Sequence, residues 1–192
     1  MKAFAITLLG NLHAQKLLTD CINSGLLHDW SIQPWPAVNG WQITPNYFAR
    51  LNLQLNPNTK IFRRPGAQGC FLSHWALWNY CREIDESIVV LESDAVIQAP
   101  LPAFTAADGI LKLHKDRGTK TGTSGTWSKG AHAYIIAPEH ADQLITGISR
   151  TEVRPADKAI GTAFVAWQHS DSNIVALNPR RGPSTTSPQL NT

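Results

Sequence analysis

The segment Ser87-Ile88-Val89-Val90-Leu91-Glu92-Ser93-Asp94-Ala95 sets two carboxylates, one residue apart, directly behind a run of apolar residues. Such a run reads as a strand buried on both faces. In an extended backbone the side chains at i and i+2 point the same way, so Glu92 and Asp94 are expected to converge on one small volume. Two carboxylates about 4 Å apart repel by roughly 4 kcal/mol at an effective dielectric of about 20. A shared divalent cation removes that cost, and an all-oxygen donor set suits Mg²⁺ or Mn²⁺ holding a phosphate. The same residues would equally serve as an exposed acidic turn closing a core strand.

Other reactive side chains lie on both sides of this turn. Cys70, His74 and Cys81 precede it, but no paired C-x-x-C or second histidine cluster accompanies them, so their spacing argues against zinc. Ser73 and His74 are neighbours on an expected helix, where adjacent residues do not face each other, and they make a poor nucleophile pair. A satisfied core position is the alternative for His74. Asp157 follows Pro155 at an expected helix start, where an aspartate often serves only as the N-cap. Lys112, Lys115, Arg117, Lys120 and Lys129 border a stretch containing Gly118, Gly122, Gly125 and Gly130. It reads as a mobile loop that closes over a ligand and presents a cation to it, or as plain solvated basic surface. Trp127, a large apolar residue on that polar loop, is a candidate ligand contact. Trp41 and the Arg180-Arg181 pair carry no assigned role.

The elements that must position these residues alternate between strand and helix. Lys2 to Leu9 reads as a buried strand, and His13 to Ser24 as a helix stopped by Gly25. Trp30 to Val38 is a second strand interrupted by Pro34 and Pro36 and closed at Asn39-Gly40. Residues 41–66 give no clear pattern. Phe71, Trp75, Trp78 and Cys81 recur at helical steps, which predicts a helix from Gly69 to Glu83 ahead of the carboxylate strand. Further strands are expected at Gly109 to His114, Ala131 to Ala137 and Asn173 to Leu177. Helices are expected from Pro138 to near Gly147 and from Ala156 to Phe164. This alternation predicts a single α/β domain over residues 1–178 with a mostly parallel central sheet, followed by a disordered tail at 179–192. Ligands of such sheets collect beyond the carboxyl ends of the strands, where Glu92 and Asp94 fall.

Several blocks taken together resemble glycosyltransferase family 25, the lipooligosaccharide galactosyltransferases and their collagen-modifying relatives. They are Gly66-Ala67-Gln68-Gly69-Cys70-Phe71-Leu72-Ser73-His74, then Leu91-Glu92-Ser93-Asp94-Ala95, Gly130-Ala131-His132-Ala133-Tyr134-Ile135-Ile136, and Pro155-Ala156-Asp157. Phe4-Ala5-Ile6-Thr7-Leu8, Trp35-Pro36-Ala37-Val38-Asn39-Gly40, Gln168 and Ser172-Asn173-Ile174 extend the likeness over roughly residues 2–178. The resemblance implies a GT-A-like nucleotide-sugar-binding domain. It implies transfer of a sugar, often galactose, from a UDP-sugar to a glycan or other hydroxyl acceptor with inversion, as in lipopolysaccharide biosynthesis. Glu92 and Asp94 would correspond to the family's acidic motif, holding Mn²⁺ or Mg²⁺ on the diphosphate. Gly69, Ser73 and His74 would lie near the donor, the Gly69 turn letting backbone approach it, and Asp157 would be the base. Metal sites in this fold type often recruit a late histidine, which makes His169 a weaker candidate against the alternative of an ordinary exposed loop residue. The chain departs from the pattern at Ser93, where an acidic residue is usual. It departs again at Leu9-Gly10-Asn11-Leu12-His13-Ala14, which lacks an expected basic nucleotide contact.

Composition narrows the alternatives. Lysines and arginines exceed acidic residues by 17 − 14 = 3, too little to argue for nucleic acid but compatible with an anionic small molecule. The odd cysteine count without a signal peptide argues for free thiols and a cytoplasmic setting. No apolar run is long enough for a membrane span, although a lipid-linked acceptor would require peripheral membrane contact. Seven tryptophans suit either a sugar-binding floor or core filling. Two rivals remain at this level: a degenerate module that binds nucleotide-sugar or glycan without turnover, and a nucleotidyltransferase. The second lacks a Gly-rich phosphate loop after its first strand.

Overall fold

The computed structural model describes residues 1–56, 59, 63–116, 118–122 and 125–182. In chain order the elements are β1 (Lys2–Thr7), α1 (Leu12–Leu26), β2 (Ile32–Pro36), α2 (Tyr47–Arg50), α3 (Pro65–Ile84), β3 (Ile88–Glu92), β4 (Ala95–Ile97), β5 (Ile110–Lys112), β6 (Thr119–Gly122), β7 (Gly125–Ser128), β8 (Ala133–Ile136), α4 (Pro138–Ser149), α5 (Ala156–Ala159), β9 (Trp167–His169) and β10 (Val175–Leu177). The central sheet has the order β2-β1-β3-β8-β5-β9. Its pairings are parallel at β1–β2, β1–β3 and β5–β9, and β8 runs antiparallel to both of its neighbours. The α/β class with a mostly parallel sheet therefore stands, with β8 as the reversed strand. A small β4–β10 ribbon and the β6–β7 hairpin flank this sheet.

β3 is the central element. Ile88, Val89, Val90 and Leu91 are all fully buried, each contributing roughly 1.5–3 kcal/mol of apolar transfer. The side chains alternate between two cores. Ile88 and Val90 join Phe71, Trp78, Leu144 and Ile148 of α3 and α4. Val89 and Leu91 join Cys21 of α1, Ile135 and Val175. Most of the tryptophans serve packing: Trp30, Trp75 and Trp78 are buried and Trp35 and Trp167 pack against the core, whereas Trp41 is 80% exposed.

Several local expectations change. Gly25 does not stop α1, which continues to Leu26. It is buried because a Cβ there would meet Ile32 Cδ1 at 2.4 Å. Pro34 and Pro36 are tolerated because β2 is an edge strand. α3 starts a turn earlier than expected, with Pro65 in its first turn. The expected loop at 117–130 contains the β6–β7 hairpin, whose turn and Arg117 lie outside the described residues. The expected helix at 156–164 stops at Ala159, because Gly161 turns away to bridge Trp127 antiparallel. The tail is folded through Gly182; its remainder, 183–192, lies outside the described residues. Among the described residues no helix is long and apolar enough to cross a membrane.

Gly69 lies within α3, against the chain's own backbone rather than in a turn open to a ligand. A Cβ there would sit 2.4 Å from Val38 O and 2.8 Å from Gly40 N. Gly69→Ala is expected to lower stability by about 1–3 kcal/mol through this clash, read as a fall in Tm. An unchanged Tm together with lost nucleotide-sugar affinity would return Gly69 to a ligand-facing role.

Candidate functional site

The forward-running strands end along one edge of the sheet, at Thr7, Glu92, Lys112 and His169, with His132 entering the reversed β8 beside them. The acidic segment sits at the middle of this edge. β3 stops at Glu92, Ser93 and Asp94 form a turn, and the chain leaves as β4. Backbone bonds fasten the turn: Glu92 N–H donates to His132 O at 2.8 Å, and Ser93 N–H to Ile6 O at 3.0 Å. Asp94 O accepts from Asn178 N–H at 2.7 Å.

The extended i, i+2 geometry expected of Glu92 and Asp94 is replaced by this turn, and the two carboxylates take different partners. Glu92 Oε1 lies 3.5 Å from His74 Nε2 and 3.9 Å from Cys70 Sγ, both on α3. Asp94 Oδ2 lies 3.7 Å from Arg181 Nη1, and its buried Oδ1 has no hydrogen-bond partner. Burial pushes Glu92 upward, but the contact with His74 and the charges of His132 and Arg181 outweigh it and hold Glu92 below its ordinary value. Burial and the neighbouring Glu92 charge raise Asp94 to about 6, with Arg181 opposing them.

Behind Glu92 runs a buried polar chain. Trp78 Nε1–H donates to Tyr134 Oη at 2.8 Å, and Tyr134 Oη lies 2.9 Å from His74 Nδ1. Because Trp78 can only donate, the phenol proton is free to donate to Nδ1. That arrangement puts the imidazole proton on Nε2, facing Glu92. His74 is fully buried, and its Nε2 has no hydrogen-bond partner at normal distance.

The other expected site residues fall in three groups. Ser73 is buried and used internally: its Oγ donates to Gly69 O at 2.7 Å and accepts from Val38 N–H at 2.9 Å. With Gly69 it ties α3 to the 38–40 segment, so of the three α3 residues expected near a donor only His74 reaches the acidic turn. Asp157 is half-buried in the first turn of α5, where Pro155, not Asp157, is the N-cap. Its charge is felt at Cys70 and Lys112. The Cys70 thiol is pushed well above its ordinary value by burial and then by the charges of Glu92, Asp157 and Asp94.

The basic residues are arranged differently from a mobile-loop picture. Lys112 is fully buried, and its Nζ donates to Ser128 O at 2.9 Å and sits 5.0 Å from the Trp167 ring centroid. Burial lowers it to about 8 against the raising charges of Asp157 and Asp116. The hairpin is held to the body by Thr126 N–H donating to Thr162 Oγ1 at 2.8 Å, and Trp127 is half-buried beside Lys158. His169 is committed as well: Nδ1–H donates to His114 O at 2.6 Å, and Nε2 meets Ser128 Oγ at 2.9 Å. Lys115, Lys120 and Lys129 are exposed.

Arg181 is the functional candidate that the sequence did not single out for a role. Its backbone carbonyl accepts from His13 at 3.1 Å, bringing the tail over Asp94. It borders a cavity of about 550 Å³ together with His114, Lys115, His132, Asn173 and Asn178. That volume is in the range of a small-molecule site, and its rim carries Lys115 and Arg181 together with the acidic Asp116. Among the described residues the one cluster with metal-ligand proximity is Cys70, His74 and Glu92, whose ligand atoms lie within 4.8 Å of one another. Cys81, the third member of the sequence trio, is turned away and donates to Glu86 O and Ile136 O.

Residues 64–108 match the family model described as Glycosyltransferase family 25 (LPS biosynthesis protein). The matched segment runs from α3 through β4. It contains Gly69, Cys70, Ser73, His74, Glu92 and Asp94, so the family resemblance holds over the acidic half of the site. No curated protein matches the chain. Similar solved structures include a glycosyltransferase involved in glycosylation of the major capsid of PBCV-1, at 9% identity and TM-score 0.40 over 76% of this chain and 66% of that one. The apo-form glycosyltransferase GlyE of Streptococcus pneumoniae aligns at 12% identity and TM-score 0.47 over 87% of this chain and 44% of that one. A Drosophila β1,4-galactosyltransferase 7 mutant in complex with manganese, UDP-Gal and xylobiose aligns at 9% identity and TM-score 0.44 over 92% and 71%. The chain thus spans less than two thirds of the first two relatives, and likenesses this loose extend to neither site nor substrate.

The Asp94 environment has a measurable consequence. The folded state, with Asp94 near 6, holds this proton more tightly than an unfolded aspartate near about 3.9. Stability therefore falls as pH rises through that window, and ionised Asp94 costs the fold up to about 3 kcal/mol above it. Asp94→Asn is expected to raise Tm relative to the parent above roughly pH 6 and to converge with it below roughly pH 4. Thermal unfolding across pH checks this, and a pH-independent difference would contradict the assignment.

Proposed function

We propose that the protein is a metal-dependent glycosyltransferase that moves a sugar, with inversion, from a UDP-sugar to a glycan or other hydroxyl acceptor. The observation that carries the proposal is Asp94: a half-buried carboxylate with a buried, unpartnered Oδ1, inside the family-matched segment and beside Arg181, which lines the cavity. An orphaned buried oxygen next to a second carboxylate fits a hard divalent cation. Asp94, with Glu92, would hold Mn²⁺ or Mg²⁺, and the ion would stabilise the leaving diphosphate as a Lewis acid.

The chain's own residues account for the other requirements. Arg181, Lys115 and His132 border the cavity on the side that would receive the diphosphate, and a guanidinium is well shaped for phosphate oxygens. His74 orients Glu92 and favours its ionised form. The base for the acceptor hydroxyl is Asp157, which is half-buried, is not a helix cap, and carries a charge felt at Cys70 beside Glu92. The free thiols Cys21, Cys70 and Cys81 suit the reducing, cytoplasmic setting that belongs to this reading. Galactose as the sugar and a lipid-linked glycan as the acceptor are the specific forms of this reading.

A second reading rests on Arg181. By sitting on Asp94 it supplies the positive charge that a metal would bring, as a binding module without turnover would need. With Mn²⁺ and a panel of UDP-sugars, UDP release that depends on Mn²⁺ and is lost in Asp94→Ala is the expected result. Asp157→Asn should retain UDP-sugar affinity by calorimetry and lose about 10²–10⁴-fold in transfer. UDP-sugar binding without turnover under all metals would favour the module, and absence of UDP affinity would remove both readings.

A further inference from the structure

We propose that Cys70, His74 and Glu92 form a second cation site, selective for a thiophilic divalent ion of the Zn²⁺ class and leaving one coordination position open. Cys70 and His74 are four residues apart on α3 and so share one face of the helix. That face meets the end of β3. The measured separations are 3.5 Å from His74 Nε2 to Glu92 Oε1 and 3.9 Å from Cys70 Sγ to Glu92 Oε1, with all three ligand atoms within 4.8 Å. Tetrahedral zinc with bonds of about 2.0–2.3 Å needs donor separations of about 3.3–3.8 Å. Small side-chain rotations therefore suffice to close the site.

A second observation points the same way. His74 Nε2 is fully buried, has no hydrogen-bond partner at normal distance and faces Glu92 of the cluster at 3.5 Å. Its other ring nitrogen is braced by Tyr134 Oη at 2.9 Å, which is itself held by Trp78. Metal-bound histidines are braced through their second nitrogen in this way. With an ion on Nε2, the imidazole proton would move to Nδ1 and be donated to Tyr134. The thiol would release its proton on binding, and the Glu92 carboxylate 3.9 Å from the sulfur supplies negative charge beside the ion. Cys70 and Glu92 are only half-buried, which gives the ion a path in.

The donor types set this site apart from that of Asp94. Sulfur and imidazole select Zn²⁺ over Mg²⁺ or Mn²⁺, whereas Asp94 offers only oxygen and is not part of the cluster. Glu92 has two carboxylate oxygens, so its use here does not exclude the role proposed above. The site also stands or falls independently of sugar transfer.

The test uses the full reduced chain, stripped with chelator and titrated with Co²⁺ as a spectroscopic probe, without nucleotide. The expected result is a single equivalent of Co²⁺ giving a thiolate-to-cobalt charge-transfer band, displaced by Zn²⁺. Cys70→Ser should abolish that band. Glu92→Gln should weaken Co²⁺ binding at least about tenfold, with far-UV circular dichroism and Tm near those of the parent. If Cys70→Ser fails to fold, the Glu92→Gln affinity decides. No charge-transfer band at stoichiometric Co²⁺, a band that survives in folded Cys70→Ser, or a Glu92→Gln affinity equal to the parent's would each overturn the site.

Discussion

A carboxylate at the end of a strand buried on both faces must have its lost hydration replaced, and the working edge of this molecule follows from that constraint. Ile88 to Leu91 anchor β3 between two cores, so the strand cannot slide outward to rehydrate Glu92. Removing a charge from water costs several kcal/mol. Glu92 meets that cost through His74, with His132 and Arg181 adding favourable charge. Asp94 is less well compensated, since among the described residues Arg181 is its ion-pair partner and Oδ1 goes unmatched. Three distant parts of the chain (α3, the start of β8, and the 178–182 segment) converge on the turn for this reason.

The side of the sheet built from β5, β9 and the hairpin obeys the same rule with the opposite sign. Lys112 is fully buried and directs its ammonium into the carbonyls of Ser128 and Gly130. His169 and Trp167 fasten the same hairpin through Ser128 and Thr126. Cations that the sequence offered for a moving loop are thus divided: Lys112 is structural, and Lys115 borders the cavity. Between the acidic and basic halves lie α5 and Asp157, whose charge reaches both Cys70 and Lys112.

Much of the fold was legible where side-chain periodicity is strong. β1, α1, α3, β3 and α4 all answer to apolar patterns that report burial directly, and their existence and type agree with the structure. Strands β4, β6, β7 and β9 were not read from the sequence, whereas the equally short β5, β8 and β10 were. Glycines misled in both directions. Gly25 and Gly69 looked like helix boundaries, yet each lies inside a helix because another part of the chain passes too close for a Cβ. Gly161 gave no warning that α5 ends early, because the strand it bridges comes from the hairpin.

The acidic pair, its place at the end of a buried strand, and the nearby Cys70 and His74 were all determined by residue type and order, since apolar runs and helical spacing are local properties. Which group each carboxylate faces was decided only by tertiary structure. The turn at Ser93 and Asp94 separates two side chains that an extended strand would have aligned, and it sends Glu92 toward α3 and Asp94 toward Arg181. Arg181 lies 87 positions beyond its partner (181 − 94) and sits in a segment of polar, Pro- and Arg-containing residues with no periodicity. Only the folded chain, by bringing that segment across the sheet edge to a charge deprived of water, gives it a place in the site.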